Sequence, residues 1–134
     1  MESEELVLDT SGRSISDLTP ELRRFCRGRG DGLVNAFCPH ATAALLLMEI
    51  GAGSDEDLLD WLRAQLPRDG RYRHRHGSIG HGADHLLPAL LSSSISVPVS
   101  GGEPLLGTWQ SLLLVDTNPE NSHRRVRLSF IPTS

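Results

Sequence analysis

An α+β fold with a largely antiparallel sheet system is predicted by three features of this 134-residue sequence. Strand-like runs close the chain in succession at 94–99 (SISVPV), 110–116 (QSLLLVD) and 124–131 (RRVRLSFI), separated by Gly101-Gly102 and by Asn118-Pro119-Glu120-Asn121. A capped, amphipathic helical pattern lies between these runs and earlier strand-like stretches. A hydrophobic content of 38% supports one domain over residues 1–134, with a single core burying roughly two thirds of the surface that the unfolded chain exposes.

The elements follow in order. Glu5–Asp9 alternates as a strand does. Residues 19–26 (TPELRRFC) predict a short helix, with Pro20 at its first position and Glu21 at its positive end, stopped by Gly28 and Gly30. Residues 32–38 (GLVNAFC) read as a buried strand broken by Pro39-His40. The next run, 43–50 (AALLLMEI), is ambiguous: its alanines and leucines favour helix, while its length suits a strand. Ser54 and Asp57 form a capping-box-like pair opening a helix from Asp55 to about Leu66, with Leu58, Trp61, Leu62 and Leu66 as its apolar stripe. A further helix is predicted from Ala83 or Asp84 through Leu91. Proline is tolerated in a first turn and costly beyond it, so Pro88 places His85 at or near that helix's start.

Composition narrows the function. A net charge of −4 argues against a general nucleic-acid binder, whose affinity comes from cations displacing phosphate counterions. No apolar run has the length of a membrane span, and the N-terminal MESEELVLDT is acidic where a secretory signal is basic and then apolar. Neither nucleic acid nor membrane is an expected partner, and the expected location is cytoplasmic. Cys26 and Cys38 lack CxxC spacing and are expected to be reduced. Lysine is absent, so any anion clamp must be guanidinium.

Four of the six histidines, His74, His76, His81 and His85, crowd into GRYRHRHGSIGHGADHLL (70–87). Metal ligation, proton transfer and a solvated loop all suit such a cluster. No Walker loop, HExxH, dinucleotide fingerprint or zinc-finger spacing decides among them.

The series GLVNAFCPHATAALLLME, then YRH, then ADH before an apolar helix, then SISVPVSGGEPLLGTWQSLLLVD and a closing arginine-rich strand resembles the YjbQ family, whose members are often described as secondary thiamine-phosphate synthases. The resemblance runs from Gly32 to Ile131, with LGTWQ its sharpest element. It implies a YjbQ-like β-sandwich of largely antiparallel strands with a few short helices, assembled as a homotrimer. It also implies that 43–49 is a strand, against local propensity. The implied activity is condensation of an aminopyrimidine diphosphate with a thiazole phosphate, a transferase reaction releasing pyrophosphate. The alternative is a non-catalytic trimeric metabolite- or metal-binding protein.

The resemblance also implies a site. His40, in the family's PHTTA-like turn, His74, in its Y-x-H element, and His85, opening the helix, become metal ligands, and three imidazoles with an open position suit zinc. Magnesium is the alternative if pyrophosphate chemistry is native. Glu49 and His40 become catalytic, with Glu49 as base or as support for a ligand histidine. A small phosphorylated substrate is expected to meet Thr42, Trp109, Gln110 and Arg124. Asparagines usual around the glutamate are replaced here by Met48 and Ile50, and His81 stands where asparagine is more usual. His81 is left as an extra ligand, a replacement or neither, and His76, beside Gly77, as dispensable. For Trp109, burial in the core is the competing reading.

Overall fold

The computed structural model describes residues 1–133 and packs two antiparallel sheets and three helices in layers. Strands β1 (Glu2–Asp9), β3 (Gly32–Phe37), β5 (Ser94–Ser100), β6 (Glu103–Pro104) and β8 (His123–Pro132) form a five-stranded sheet ordered β1-β8-β3-β5-β6. Strands β2 (Ile15–Asp17), β4 (Ala44–Met48) and β7 (Ser111–Val115) form a second sheet, ordered β2-β7-β4. Helix α1 (Thr19–Cys26) buries Leu22, Phe25 and Cys26 in the core between the sheets. Helices α2 (Ser54–Gln65) and α3 (His81–Leu90) cover the outer face of the smaller sheet.

The two cores explain the ambiguous run. Leu45 and Leu47 of β4 pack inward with Leu112 and Leu114 of β7, against Val34, Val97, Val126 and Leu128 of the larger sheet. Ala44, Leu46, Met48 and Val115 face the other way, onto Leu58, Leu62 and Leu87 of the helices. A strand apolar on both faces has no alternation to read, so 43–49 looks like a helix until its two neighbours are known. The strand implied by the family resemblance is the one observed.

Three local expectations are corrected. Ser54 makes no cap; it is the first residue of α2, and the Asp57 N–H bonds instead to the Gly53 carbonyl at 3.0 Å. Trp61 is not part of the buried stripe of α2: it is 47% exposed, while Leu58 and Leu62 are buried. Helix α3 begins at His81, earlier than Pro88 suggested, because Gly80 adopts φ 93° and turns the chain into the helix from a conformation that favours glycine. Pro88 therefore sits at the start of the third turn, leaving the Asp84 carbonyl without its helical N–H partner, and α3 ends soon afterwards at Leu90. The short strands β2 and β6 carry no pattern that a sequence reading could separate from loop.

Candidate metal centre

The early start of α3 decides the site. With His81 inside the helix, His81 and His85 stand four residues apart on one face. Their Nε2 atoms lie 3.1 Å apart. The preceding loop returns over them: the His74 ring lies 4.1 Å from that of His85 and 4.0 Å from that of His76, and His76 lies 4.9 Å from His81, between ring centroids. One nitrogen from each of the four lies within 4.8 Å of the other three.

Each support has an identifiable cause. Asp84, between the two helical histidines in sequence, is fully buried; both its oxygens accept from the Arg68 guanidinium, and Oδ1 also accepts from Thr117 Oγ1 at 2.9 Å. That pairing fixes the rotation of α3. Tyr72 donates its hydroxyl proton to the Pro67 carbonyl at 2.6 Å and lays its ring on Gly82. Glu120 accepts from the Ser78 backbone N–H at 2.6 Å, and from the Ser78 hydroxyl, closing the loop. The same carboxylate stands 3.6 Å from His81 Nδ1, a buried nitrogen with no hydrogen-bond partner. A carboxylate behind an imidazole's second nitrogen is the usual outer support of a histidine ligand.

Electrostatics keep lone pairs available. Loss of water contact, followed by the neighbouring imidazoles, holds His74 and His85 below the ordinary histidine range. Both are therefore neutral at pH 7, as ligation requires. Hydrogen bonds from Ser78 hold the Glu120 carboxyl below its usual range, so it stays anionic beside His81.

The fit to a metal ion follows from the donor set. Four imidazoles converge without a thiolate or a carboxylate among them, which suits zinc, copper or nickel and is foreign to magnesium. Nitrogens about 2.0–2.1 Å from a tetrahedral ion stand about 3.3 Å apart. The His81–His85 pair is close to that spacing, and the two loop-borne rings can supply the remaining contraction.

The other residues singled out in the sequence lie elsewhere. His40 is outside the cluster, and its Nε2 accepts the Arg125 backbone N–H at 2.9 Å. Burial first, and Arg124 second, hold His40 below the usual histidine range, so the ring carries its one proton on Nδ1. Neither nitrogen then offers a free lone pair. Arg124 is buried, with its Nε and Nη2 on the two oxygens of Asp116 at 2.7 and 3.0 Å, and Nη2 also on Thr42 Oγ1 at 2.9 Å. Thr42 is buried in the same network and accepts from Asn118 at 3.1 Å. Glu49 follows β4, half-buried, without a side-chain hydrogen bond or ion pair among the described residues. Gln110 accepts the Gly107 N–H at 2.8 Å and closes the turn that carries Trp109. Trp109 is 74% exposed, so its indole is not part of this chain's core.

Sequence reading thus named His74 and His85 but did not join His76 and His81 to them. The available signal was HGADH, an i, i+4 histidine pair, hidden by placing the helix start two or three residues late. Gly82 permits a direct test, because a Cβ there would stand 2.4 Å from Tyr72 Cβ and 2.7 Å from Tyr72 Cγ. Gly82→Ala is expected to push the Tyr72–His76 segment off α3. Zinc affinity should fall by about tenfold or more, the scale for losing an outer support, while calorimetry should still show cooperative unfolding.

Comparison with known proteins agrees with this architecture. Residues 4–133 match the family model described as UPF0047 protein YjbQ-like. A UPF0047 protein of Mycobacterium tuberculosis is 61% identical over 131 residues, covering 98% of each chain. One from Archaeoglobus fulgidus is 37% identical, covering 90% of this chain and 94% of that one. Among solved structures, a hypothetical protein from Aeropyrum pernix superposes with a TM-score of 0.87 at 27% identity, covering 98% of this chain and 99% of the other. A YbjQ-like protein of unknown function from Sulfolobus solfataricus gives a TM-score of 0.89 at 21% identity, covering 98% and 96%, a likeness of fold alone. With the family's model matching residues 4–133 of the chain and a relative this similar, the chain belongs to the YjbQ-like UPF0047 family.

Proposed function

We propose that this chain binds a divalent transition metal, zinc first, through His74, His76, His81 and His85, and uses it on a small phosphorylated substrate. The observation that carries the reading is the convergence of four ligand nitrogens within 4.8 Å. A bound ion of this kind polarises a substrate oxygen or lowers the pKa of a bound water. Around it, Glu120 is placed to hold the His81 ring, and Asp84 to fix α3.

The thiamine-phosphate synthase reaction implied by the family resemblance is a candidate transferase activity. It fits this donor set poorly, because a departing pyrophosphate is usually neutralised by magnesium on oxygen ligands. A different native substrate suits four nitrogens better. The homotrimer belongs to the same proposal, supported by apolar side chains on the outer face of the larger sheet: Leu33, Phe37 and Ile131 are 43%, 43% and 52% exposed.

A second reading is favoured by the ligand count itself. Four protein ligands fill a tetrahedral ion, as in structural sites, whereas catalytic zinc keeps one position open. On that reading the protein holds metal or a metabolite without turning it over. Both readings predict about one zinc per chain after dialysis against trace zinc, lost on treatment with a chelator and recovered on re-addition. Formation of thiamine phosphate from its two precursors, assayed on apo, zinc-loaded and magnesium-supplemented protein, separates them. Metal-dependent turnover supports the enzyme, whereas stoichiometric zinc without turnover of these precursors or of a panel of small phosphate monoesters supports the binding protein. Zinc below about a tenth of an equivalent would contradict both.

A further inference from the structure

The loop that carries His74 also walls a cavity of about 290 Å³, bounded by Tyr72, His74, Arg75, Ile79 and the backbone of Gly80 and Gly82. Resting on the metal reading above, we propose that this cavity is the substrate site, and that it takes a small oxyanion, a phosphate monoester or a carboxylate, carrying a compact apolar body. Its volume lies at the lower edge of the range for small-molecule sites and suits a ligand of metabolite size.

The charges in the lining point to an anion. Arg75 makes no ion pair or side-chain hydrogen bond among the described residues, so its guanidinium is available. The acid in the wall, Asp69, is already engaged: Arg71 donates Nε–H to its Oδ1 and Nη2–H to its Oδ2, each at 2.8 Å. His74 belongs both to the wall and to the four-histidine cluster, so an anion held by Arg75 lies next to the proposed ion. Two cations beside a neutralised carboxylate favour a negatively charged head group.

The apolar body is indicated by Ile79, which is 76% exposed at the cavity, more than any other leucine or isoleucine among the described residues. Tyr72 supplies an aromatic wall, its hydroxyl committed to Pro67. Arg124, the anion binder that the family resemblance implies, is enclosed in the core on Asp116. Arg75 lines the cavity beside a histidine of the cluster and has its guanidinium open.

The test is calorimetric titration of the zinc-loaded full chain with inorganic phosphate, phenyl phosphate and benzoate. Phenyl phosphate or benzoate should bind more tightly than inorganic phosphate, and whichever of the two leads identifies the head group. Arg75→Gln should weaken the leading probe about tenfold or more, the scale of a lost charge-assisted pair, with zinc content unchanged. Ile79→Ser should weaken the aromatic probes and leave inorganic phosphate unaffected. Stoichiometric zinc with probe binding that ignores Arg75, or with no binding at millimolar concentration, overturns the cavity proposal and spares the metal reading. Arg75-dependent binding in a protein that takes up no zinc does the reverse.

Discussion

Arg124→Ala is expected to destabilise the protein by about 3–5 kcal/mol, the cost of leaving one partner of a buried ion pair without the other. Both side chains of the Arg124–Asp116 pair are only 1% exposed, and both Asp116 oxygens accept from Arg124. Removing the guanidinium strands a carboxylate that also accepts from Thr10 Oγ1 at 2.7 Å and from the Asn118 N–H at 3.0 Å. Urea denaturation of the variant measures the loss. Replacing both partners with apolar residues, Arg124→Met with Asp116→Leu, should recover part of it, because no unpaired charge remains. A variant of unchanged stability would return Arg124 to the role of substrate ligand. The network also reaches the four-histidine cluster: Asp116 holds the Asn118 backbone, Asn118 Oδ1 accepts the Glu120 N–H at 2.8 Å, and Glu120 grips Ser78 beside His81. Arg124→Ala should therefore also weaken zinc binding, acting through position rather than contact.

The second large effect is expected at the histidines themselves. His81→Ala and His85→Ala should each lower zinc affinity by more than about 100-fold, beyond the upper end seen for outer supports. Both rings stand on α3, whose backbone fixes their positions four residues apart. His74→Ala should follow them. His76→Ala should cost less, because that ring is exposed on the loop and a water can take its place. His40→Ala should leave zinc stoichiometry intact, because the His40 Nε2 lone pair is already used by the Arg125 N–H. Competition with a chromophoric chelator gives each affinity. Equal losses in the His40 and His85 variants would restore the ligand set implied by the family resemblance.

Much of the fold is legible in the residues, and the exceptions have physical reasons. The strands of the larger sheet alternate, because one face meets the core and the other does not: Val34 and Ala36 are buried while Leu33 and Phe37 are exposed. Strands β4 and β7 of the smaller sheet lose that signature because both their faces meet apolar side chains. Helix α2 is legible from its acidic first turn and its Leu58 and Leu62 spacing, although its cap is not, because the chain turns in at Gly53 with φ 95° and needs no serine. Helix α3 misleads because Pro88 is a local rule overridden by tertiary packing. The buried Asp84, held by Arg68 and Thr117, stabilises a helix longer than the proline alone would suggest.

The site divides in the same way. His74 and His85 were recognisable as a pair through their family resemblance, whereas the part played by His81 depends on where a helix begins, and His76 on how a glycine-rich loop folds back. Nothing in the sequence reveals that Arg124 meets Asp116 eight residues earlier across a turn, enclosed rather than facing a pocket. Such a pairing is set by the layer in which a strand residue lands.

The most direct test of the four-histidine centre is a crystal of the zinc-soaked protein measured on both sides of the zinc absorption edge. The anomalous difference peak should lie among the imidazoles of His74, His76, His81 and His85, with ligand nitrogens about 2.0–2.1 Å away. A peak bounded by His40, or no peak among these four rings, would contradict it.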